Sequence, residues 1–247
     1  MTRRYRPQQT GMTLIELMIA LSIASILMFG VGTVYVSSKR GYNIQDNLAR
    51  QQENSRFSLE VLMRDLRMAG YPKTFVKDPI MTAATQTSDG GGGNDTITVQ
   101  YESGNDCLGQ QTPANSCIDD TTKQCAINKY YISTDASGFN HLYCLGNGGA
   151  NPDIIAEDIT NLQIQYGVDT DTSGTANAYF TWNNISASNR ANIVSVRFAL
   201  LSQTPNDVKK VATHNVSYTL LDQTYTPDDK RFHHVYSNTV LLRNRMQ

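Results

Sequence analysis

Residues 11–38 read GMTLIELMIALSIASILMFGVGTVYVSS, and one carboxylate, Glu16, interrupts an otherwise uncharged run that ends at Lys39. Residues 17–38 number enough to cross a hydrocarbon core of about 30 Å as a helix, which takes about 20 mostly apolar residues. A shorter apolar core followed by a small-residue cleavage site would read as a secretory signal. Ser22 and Ala24 mimic such a site, but apolar residues continue to Val36, so a span is the better reading. A lipoprotein signal needs a nearby cysteine, and the first is Cys107. Arg3, Arg4 and Arg6 precede the run with no acid before Glu16. That asymmetry predicts a cytoplasmic amino end and export of the remaining chain.

A charged acid at membrane depth is costly and marks a function or a partner. The bland account is a boundary residue that reaches interfacial water. Its immediate context argues otherwise: Gly11, Met12, Thr13, Leu14, Ile15, Glu16 and Leu17 resemble the type III signal of type IV prepilins. In that family a membrane peptidase cuts after the glycine and methylates the new amino terminus. The resemblance therefore implies cleavage after Gly11, N-methylation of Met12, and a leader spanning residues 1–11. It also implies that Glu16 pairs with the terminal amine of a neighbouring subunit in the filament. A buried ion pair is worthwhile only when both charges are satisfied, so Glu16 would act as a register pin. Family members most often begin the mature chain with Phe, where this one has Met12.

The helical pattern outlasts the span. Ile44, Leu48, Leu59, Leu62, Leu66 and Ala69 recur at helical spacing, with Gln51 and Ser55 filling the same stripe. Asp46–Arg50, Arg56–Glu60 and Glu60–Arg64 lie four apart, as on an exposed helix face. Gly70 and Pro72 form a stop signal. A single helix from residue 12 to 69 is predicted, about 87 Å long at ~1.5 Å per residue. Residues 12–38 are its membrane and assembly segment, and 39–70 its amphipathic continuation. Related pilins loosen a stretch of this helix on assembly, and the resemblance implies such loosening around Gly30 and Gly32.

From residue 71 short alternating runs separated by turn residues read as strands: DTITVQY, NKYYIS, FNHLYCL, ITNLQIQYGV, AYFTW, IVSVRFALL, NVSYTLL and VYSNTVLL. Val194, Val196, Phe198 and Leu200 alternate with Ser195, Arg197 and Ala199, which predicts a sheet with one covered face. The fold class is therefore α+β, an antiparallel β-sheet domain over 71–247 packed on the amphipathic half of the helix.

The segments MRDLRMAGY, YYIS, LYCLG, LQIQYGVDTD, IVSVRFALL and TVLLRN, in this order, resemble the PilW-type minor pilins, which are similar in layout to the J-type minor pseudopilin of type II secretion. The resemblance implies a structural subunit that helps initiate type IV pilus assembly at or near the filament tip, supporting adhesion and twitching motility. Implied partners are prepilin peptidase, the major and other minor pilins, the assembly platform, a tip adhesin, and the inner membrane before assembly. The implied route runs from a single-pass inner-membrane protein with a periplasmic domain to the extracellular pilus. Rival readings are a minor pseudopilin of type II secretion and a membrane-anchored periplasmic binding or adhesin module.

Cys107, Cys117, Cys125 and Cys144 lack the paired spacing of a zinc ribbon, and an exported domain meets an oxidising compartment. Disulfides follow, with three pairings open. The family arrangement implies Cys117–Cys125 nested inside Cys107–Cys144. On the chain-entropy model these contribute about 2.6 and about 4 kcal/mol, restraining a polar insertion over 104–145 that supplies little core. Asp169, Asp171, Ser173 and Gly174 resemble the first half of a calcium loop, but the twelfth position, which requires a bidentate glutamate, is Phe180. A polar hairpin turn is the better account. His141, His214, His233 and His234 lack ligand spacing on a helix. No nucleophile elbow or P-loop occurs: Gly90–Gly93 precede Asn94 and Asp95, with no lysine. No catalytic residue, cofactor or metal is therefore assigned. A net charge of -1 argues against nucleic acid as a partner, and Lys209, Lys210, Arg243 and Arg245 read as solvated surface.

Overall fold

A computed structural model describes residues 11–74, 76, 78–80, 87–209 and 216–245. The chain divides into two compact units, Met1–Asp46 and Asn47–Gln247. One helix, α1 (Leu14–Met68), contributes to both. It is unbroken through Gly30, Gly32 and Gly41.

In the first unit the hydroxyls along α1 bond back to its own carbonyls: Ser22 to Met18, Ser25 to Ser22 and Thr33 to Gly30, each at 2.8 Å. These three donors therefore do not depend on water. The helix is long and apolar enough to cross a membrane by length and composition.

In the second unit α1 ends at a composite stop. Gly70 adopts φ 81°, the left-handed conformation that glycine takes without a Cβ penalty. The Asn244 side-chain amide reaches the Arg67, Met68 and Ala69 carbonyls at 3.2–3.3 Å, covering the acceptors that a helix end leaves open. Arg64 bonds the neighbouring Asp65 at 3.2 Å, not Glu60.

Among the described residues ten strands follow: β1 (Ile97–Glu102), β2 (Cys125–Thr134), β3 (Asn140–Gly146), β4 (Asp153–Ala156), β5 (Ile159–Val168), β6 (Ala178–Phe180), β7 (Ile193–Gln203), β8 (Tyr218–Leu220), β9 (Gln223–Tyr225) and β10 (His233–Leu241). They form an antiparallel sheet β1-β2-β3-β4, a second antiparallel sheet β10-β7-β5-β6, and the hairpin β8-β9. The core gathers Leu62 and Leu66 of α1, Tyr130 and Leu142 of the first sheet, and Ile164, Phe198 and Leu200 of the second. This is the helix-on-antiparallel-sheet, α+β arrangement.

Two sequence expectations change. β7 is covered on both faces, not one. Val196, Phe198 and Leu200 face the main core, while Ala199 and Leu201 pack against Leu220 and Tyr218 of the β8-β9 hairpin. Residues 104–145 are no core-poor appendage either. β2 and most of β3 lie within them, and Ala126, Tyr130, Leu142 and Cys144 are buried in the main cluster. Disulfides join Cys107 to Cys144 and Cys117 to Cys125, so the outer link ties the loop before β2 into β3.

The two sheets are joined through a loop. The outer edge of β5 beyond β6 is taken by Asn94 and Asp95: the Asp95 N–H donates to the Leu162 carbonyl, and Leu162 N–H to Asn94 Oδ1. The Asp95 carboxylate accepts the Ile164 N–H at 2.7 Å and the Gly90 N–H at 2.9 Å. Burial nonetheless pushes the Asp95 carboxyl up to about 6, against the pull of those two donors.

Candidate assembly site on the amino-terminal helix

Glu16 occupies the third helical position, and Thr13 the cap. The Thr13 N–H and Oγ1 donate to Glu16 Oε2 at 2.9 and 2.8 Å, and the Glu16 N–H reaches Thr13 Oγ1 at 3.4 Å. This reciprocal pattern is a capping box, which satisfies two of the donors that a helix start leaves open. The T-x-x-E signal lay in the sequence, inside the motif already singled out for its charge. Glu16 thus has a local duty within its own chain. Its second oxygen, Oε1, has no hydrogen-bond partner among the described residues.

Around this carboxylate the surface is apolar. Every residue from 11 to 43 is exposed, including Met12 at 73%, Leu14 at 77% and Phe29 at 77%. A contiguous apolar surface of that size is a site of association with lipid or protein. Gly11 and Met12 precede the first helical turn, outside helix and strand, and both are exposed. Arg3, Arg4 and Arg6 lie outside the described residues.

The other candidates do not gather into a site. In the 169–174 loop the carboxylates face amides: Asp169 accepts from the Asp171, Ser173 and Gly174 N–H groups, and Asp171 from that of Ser173. That is the bonding of a polar turn. His141 Nδ1 accepts the Asp158 N–H at 3.0 Å, with Nε2 3.4 Å from Asp135. His233 is buried 3.3 Å from Asp229, and burial lowers its pKa although Asp229 opposes the shift. His234 stacks edge-on against Tyr236, and His214 and Lys210 fall outside the described residues. No group of three or more metal-ligating side chains occurs among the described residues. Arg245 is engaged with the Ala191 carbonyl and Asp78, and the Lys209 ammonium lies over the Phe232 ring.

The feature that sequence reasoning missed is Asp65. It is fully buried on α1 and accepts from Tyr130 Oη at 2.6 Å and Asn128 Nδ2 at 2.7 Å. Burial first, and the Asp65 charge second, raise the Tyr130 pKa well above its ordinary value. The phenol therefore stays a donor, and the cluster clamps the helix to β2. Its only sequence signal was an acid between Leu62 and Leu66 in the apolar stripe.

Comparison with known proteins bears on both ends of the chain. Residues 129–244 match the family model described as type IV pilus-assembly protein W. Residues 6–32 match the prokaryotic N-terminal methylation motif. Together the matched stretches cover more than half of the chain. No curated protein matches it. The structure of a type IV-like pilin from Thermus thermophilus aligns over 79% of this chain and 97% of its own, at 12% identity and a TM-score of 0.44.

Proposed function

This chain is a type IV pilus minor pilin of the PilW type, and from that premise we propose that it helps start pilus assembly and sits at or near the filament tip, supporting adhesion and twitching. Its work is mechanical. Family membership points to a structural subunit rather than an enzyme.

The observation that carries this reading is the placement of Glu16. Cleavage after Gly11 would remove Arg3, Arg4 and Arg6 and leave a positively charged, methylated amine on Met12. Before assembly, α1 holds the subunit in the inner membrane, amino end in the cytoplasm and the sheet unit in the periplasm. Glu16 Oε2 is then occupied by the cap of its own helix. During assembly helices leave lipid and bury against one another, and the open Oε1 meets the amine of a neighbour. Such contacts are heterologous, so they propagate a helical filament and do not close a ring. A carboxylate and an ammonium brought together out of water stabilise only when each finds the other, which makes the pair a check on register. The large disulfide-linked second unit suits a specialised position better than a repeating one.

The test is the chemistry of the mature amino terminus together with the protein's location. Mass spectrometry of protein from its native host is expected to find N-methylated Met12, and the same species in sheared pili. A retained Met1 would reduce the chain to an ordinary single-span tether. A processed protein found only with a secretion apparatus would make it a pseudopilin.

A further inference from the structure

The edge of a β-sheet offers a row of unpaired N–H and C=O groups, which proteins guard with short strands, bulges, charges, proline or a covering segment. The other sheet edges have such guards. The outer side of β1 is roofed by chain: Gly70 N–H donates to Gln100, Gln100 N–H to Pro79 and Glu102 N–H to Tyr71, with a further bridge between Ile80 and Val99. β4 has four residues and slips register against β3. β6 has three, and Asn94 and Asp95 occupy the remainder of that side of β5.

Among the described residues β10 has none of these. It pairs with β7 at nine consecutive positions without a slip, from His233–Gln203 to Leu241–Ser195. Its sequence, HHVYSNTVL, contains no Pro, Lys, Arg, Asp or Glu. The direction of its backbone groups follows from the two ends. The Phe232 carbonyl accepts the Thr204 N–H, and the Leu242 N–H donates to Val194, so even-numbered residues bond inward. Val235, Ser237, Thr239 and Leu241 therefore turn their N–H and C=O outward. Of these groups, the Thr239 N–H is taken by Asn238 Oδ1 at 2.8 Å and the Leu241 carbonyl accepts the Arg243 N–H at 3.1 Å, so Leu241 offers its N–H alone.

Beside this edge lies a groove of about 550 Å³ on α1, with Leu59 and Met63 on its floor and Arg56, Arg64, Arg67 and Glu60 around it. Asn238 Nδ2 is 2.9 Å from Met63 Sδ, which places the groove next to β10. Asp65 points the other way, into β2, so the groove is on the flank of α1 away from the first sheet.

We infer that the β10 edge and this groove together bind an extended segment of a different protein chain, apolar at alternate positions and net acidic, which adds as a fifth strand. Main-chain hydrogen bonds to Val235, Ser237 and Leu241 would supply the register. Side chains on one face of the added strand would enter the Leu59–Met63 groove. Three arginines against one glutamate select an acidic segment. They also disfavour a second copy of this chain, because pairing two β10 edges would bring two arginine-rich flanks together.

The probe is a fluorescent nine-residue peptide with valines at alternate positions and a glutamate at each end, titrated by anisotropy into the full-length protein in detergent micelles. Saturable binding is expected. A twin with N-methylated backbone amides should bind at least about tenfold more weakly, since strand addition depends on main-chain donors. Ser237→Pro should weaken the parent peptide by a similar factor. It removes an outward N–H that β7 does not use, the edge position where proline is tolerated. Should that variant unfold, Ser237→Lys supplies the missing charge guard with the same expected loss. Arg56→Glu/Arg67→Glu should reverse the preference toward a lysine-ended peptide. Absence of binding, or equal binding by the methylated twin or the Ser237 variants, overturns the inference. Tighter binding of a peptide with the sequence of residues 233–241 would overturn it in favour of a second copy.

Discussion

Between Leu14 and Tyr42 the apolar side chains of α1 are exposed, whereas between Asn47 and Leu66 the same helix buries Asn47, Gln51, Ser55, Ser58 and Asp65. One continuous helix thus carries two opposite patterns. Among the described residues nothing packs on the apolar surface of the first part, and the hydroxyls of Ser22, Ser25 and Thr33 are bonded to its own backbone. It is written for surroundings that offer no hydrogen bonds, either lipid or other helices like itself. The second part is written for a known neighbour. Its buried polar groups meet fixed partners: Gln51 Nε2 donates to the Ser202 carbonyl and hydroxyl at 3.0 and 3.1 Å, and Asn47 Oδ1 accepts from Asn206 at 3.1–3.2 Å. Buried polar groups are costly alone and specific when satisfied. An exchangeable surface is therefore apolar and non-specific, and a permanent one can be polar and specific.

Glu16 is where the first pattern is most sensitive. Glu16→Ala should leave membrane insertion and cleavage intact while reducing the protein in sheared pili by at least about tenfold, the effect of leaving a buried amine unpaired. Immunoblots of pili against membranes measure this. Wild-type levels in pili would show that the carboxylate serves only as a helix cap. Glu16→Gln sharpens the distinction, because it keeps an acceptor for Thr13 but not the charge.

The second pattern breaks most severely at Asp65. Asp65→Ala leaves the buried Tyr130 hydroxyl without its acceptor and the Asn128 amide with Tyr101 Oη alone at 3.2 Å, and a loss of about 2–3 kcal/mol is expected from the stranded phenol and the half-satisfied amide. Asp65→Asn, which keeps one acceptor oxygen, should cost less. Denaturant unfolding of the full chain in detergent reads both, and equal losses would mean that the charge on Asp65, not its hydrogen bonds, holds α1 to β2.

Asp95 gives a pH signature to the same unit. Its folded pKa of about 6 exceeds the ordinary carboxylate value of about 3.9. The folded chain therefore binds this proton more tightly than the unfolded chain. Its contribution to stability is present below about pH 4 and is lost as pH rises toward 6. The stability of the wild type relative to Asp95→Asn should fall by up to about 2 kcal/mol between pH 4 and 7. A flat difference would indicate that the two amide donors balance burial, and a rise that they outweigh it.

Much of this contrast was legible in the sequence, for physical reasons that differ by region. α1 announced itself through length and period, and Gly70 and Pro72 marked its end, while its start at Leu14 falls two residues past the expected residue 12. ITNLQIQYGV matches β5 because a long run of apolar and polar alternation is bounded by Asp158 and Asp169. DIIA and QTY, which became β4 and β9, were too short to show a period. The second cover on β7 comes from Leu220, some twenty residues away in chain, which no local pattern reveals. Gly11, Met12 and Glu16 were conspicuous as a compact local motif. Asp65 was not, because its meaning depends on Asn128 and Tyr130, more than sixty residues further on. The open side of β10 was equally hidden, since an edge is a property of strand order.

The smallest prediction separates polar residues that join two elements from those that do not. Gln51 spans from α1 to β7, so Gln51→Ala strands the buried Ser202 hydroxyl and should cost about 1–2 kcal/mol. Ser55 is as deeply buried, but its hydroxyl donates to the Gln51 carbonyl of its own helix at 2.6 Å. That carbonyl already has a role in the helix ladder, and such back-bonding slightly disfavours a helix. Alanine at 55 removes the competing donor, strands nothing, and is the better helix former. Ser55→Ala should therefore change stability by less than about 0.5 kcal/mol, in either direction, in the same unfolding assay. If it instead costs as much as Gln51→Ala, burial alone governs this stripe, and the difference between the two halves of α1 lies in packing and not in the placement of hydrogen bonds.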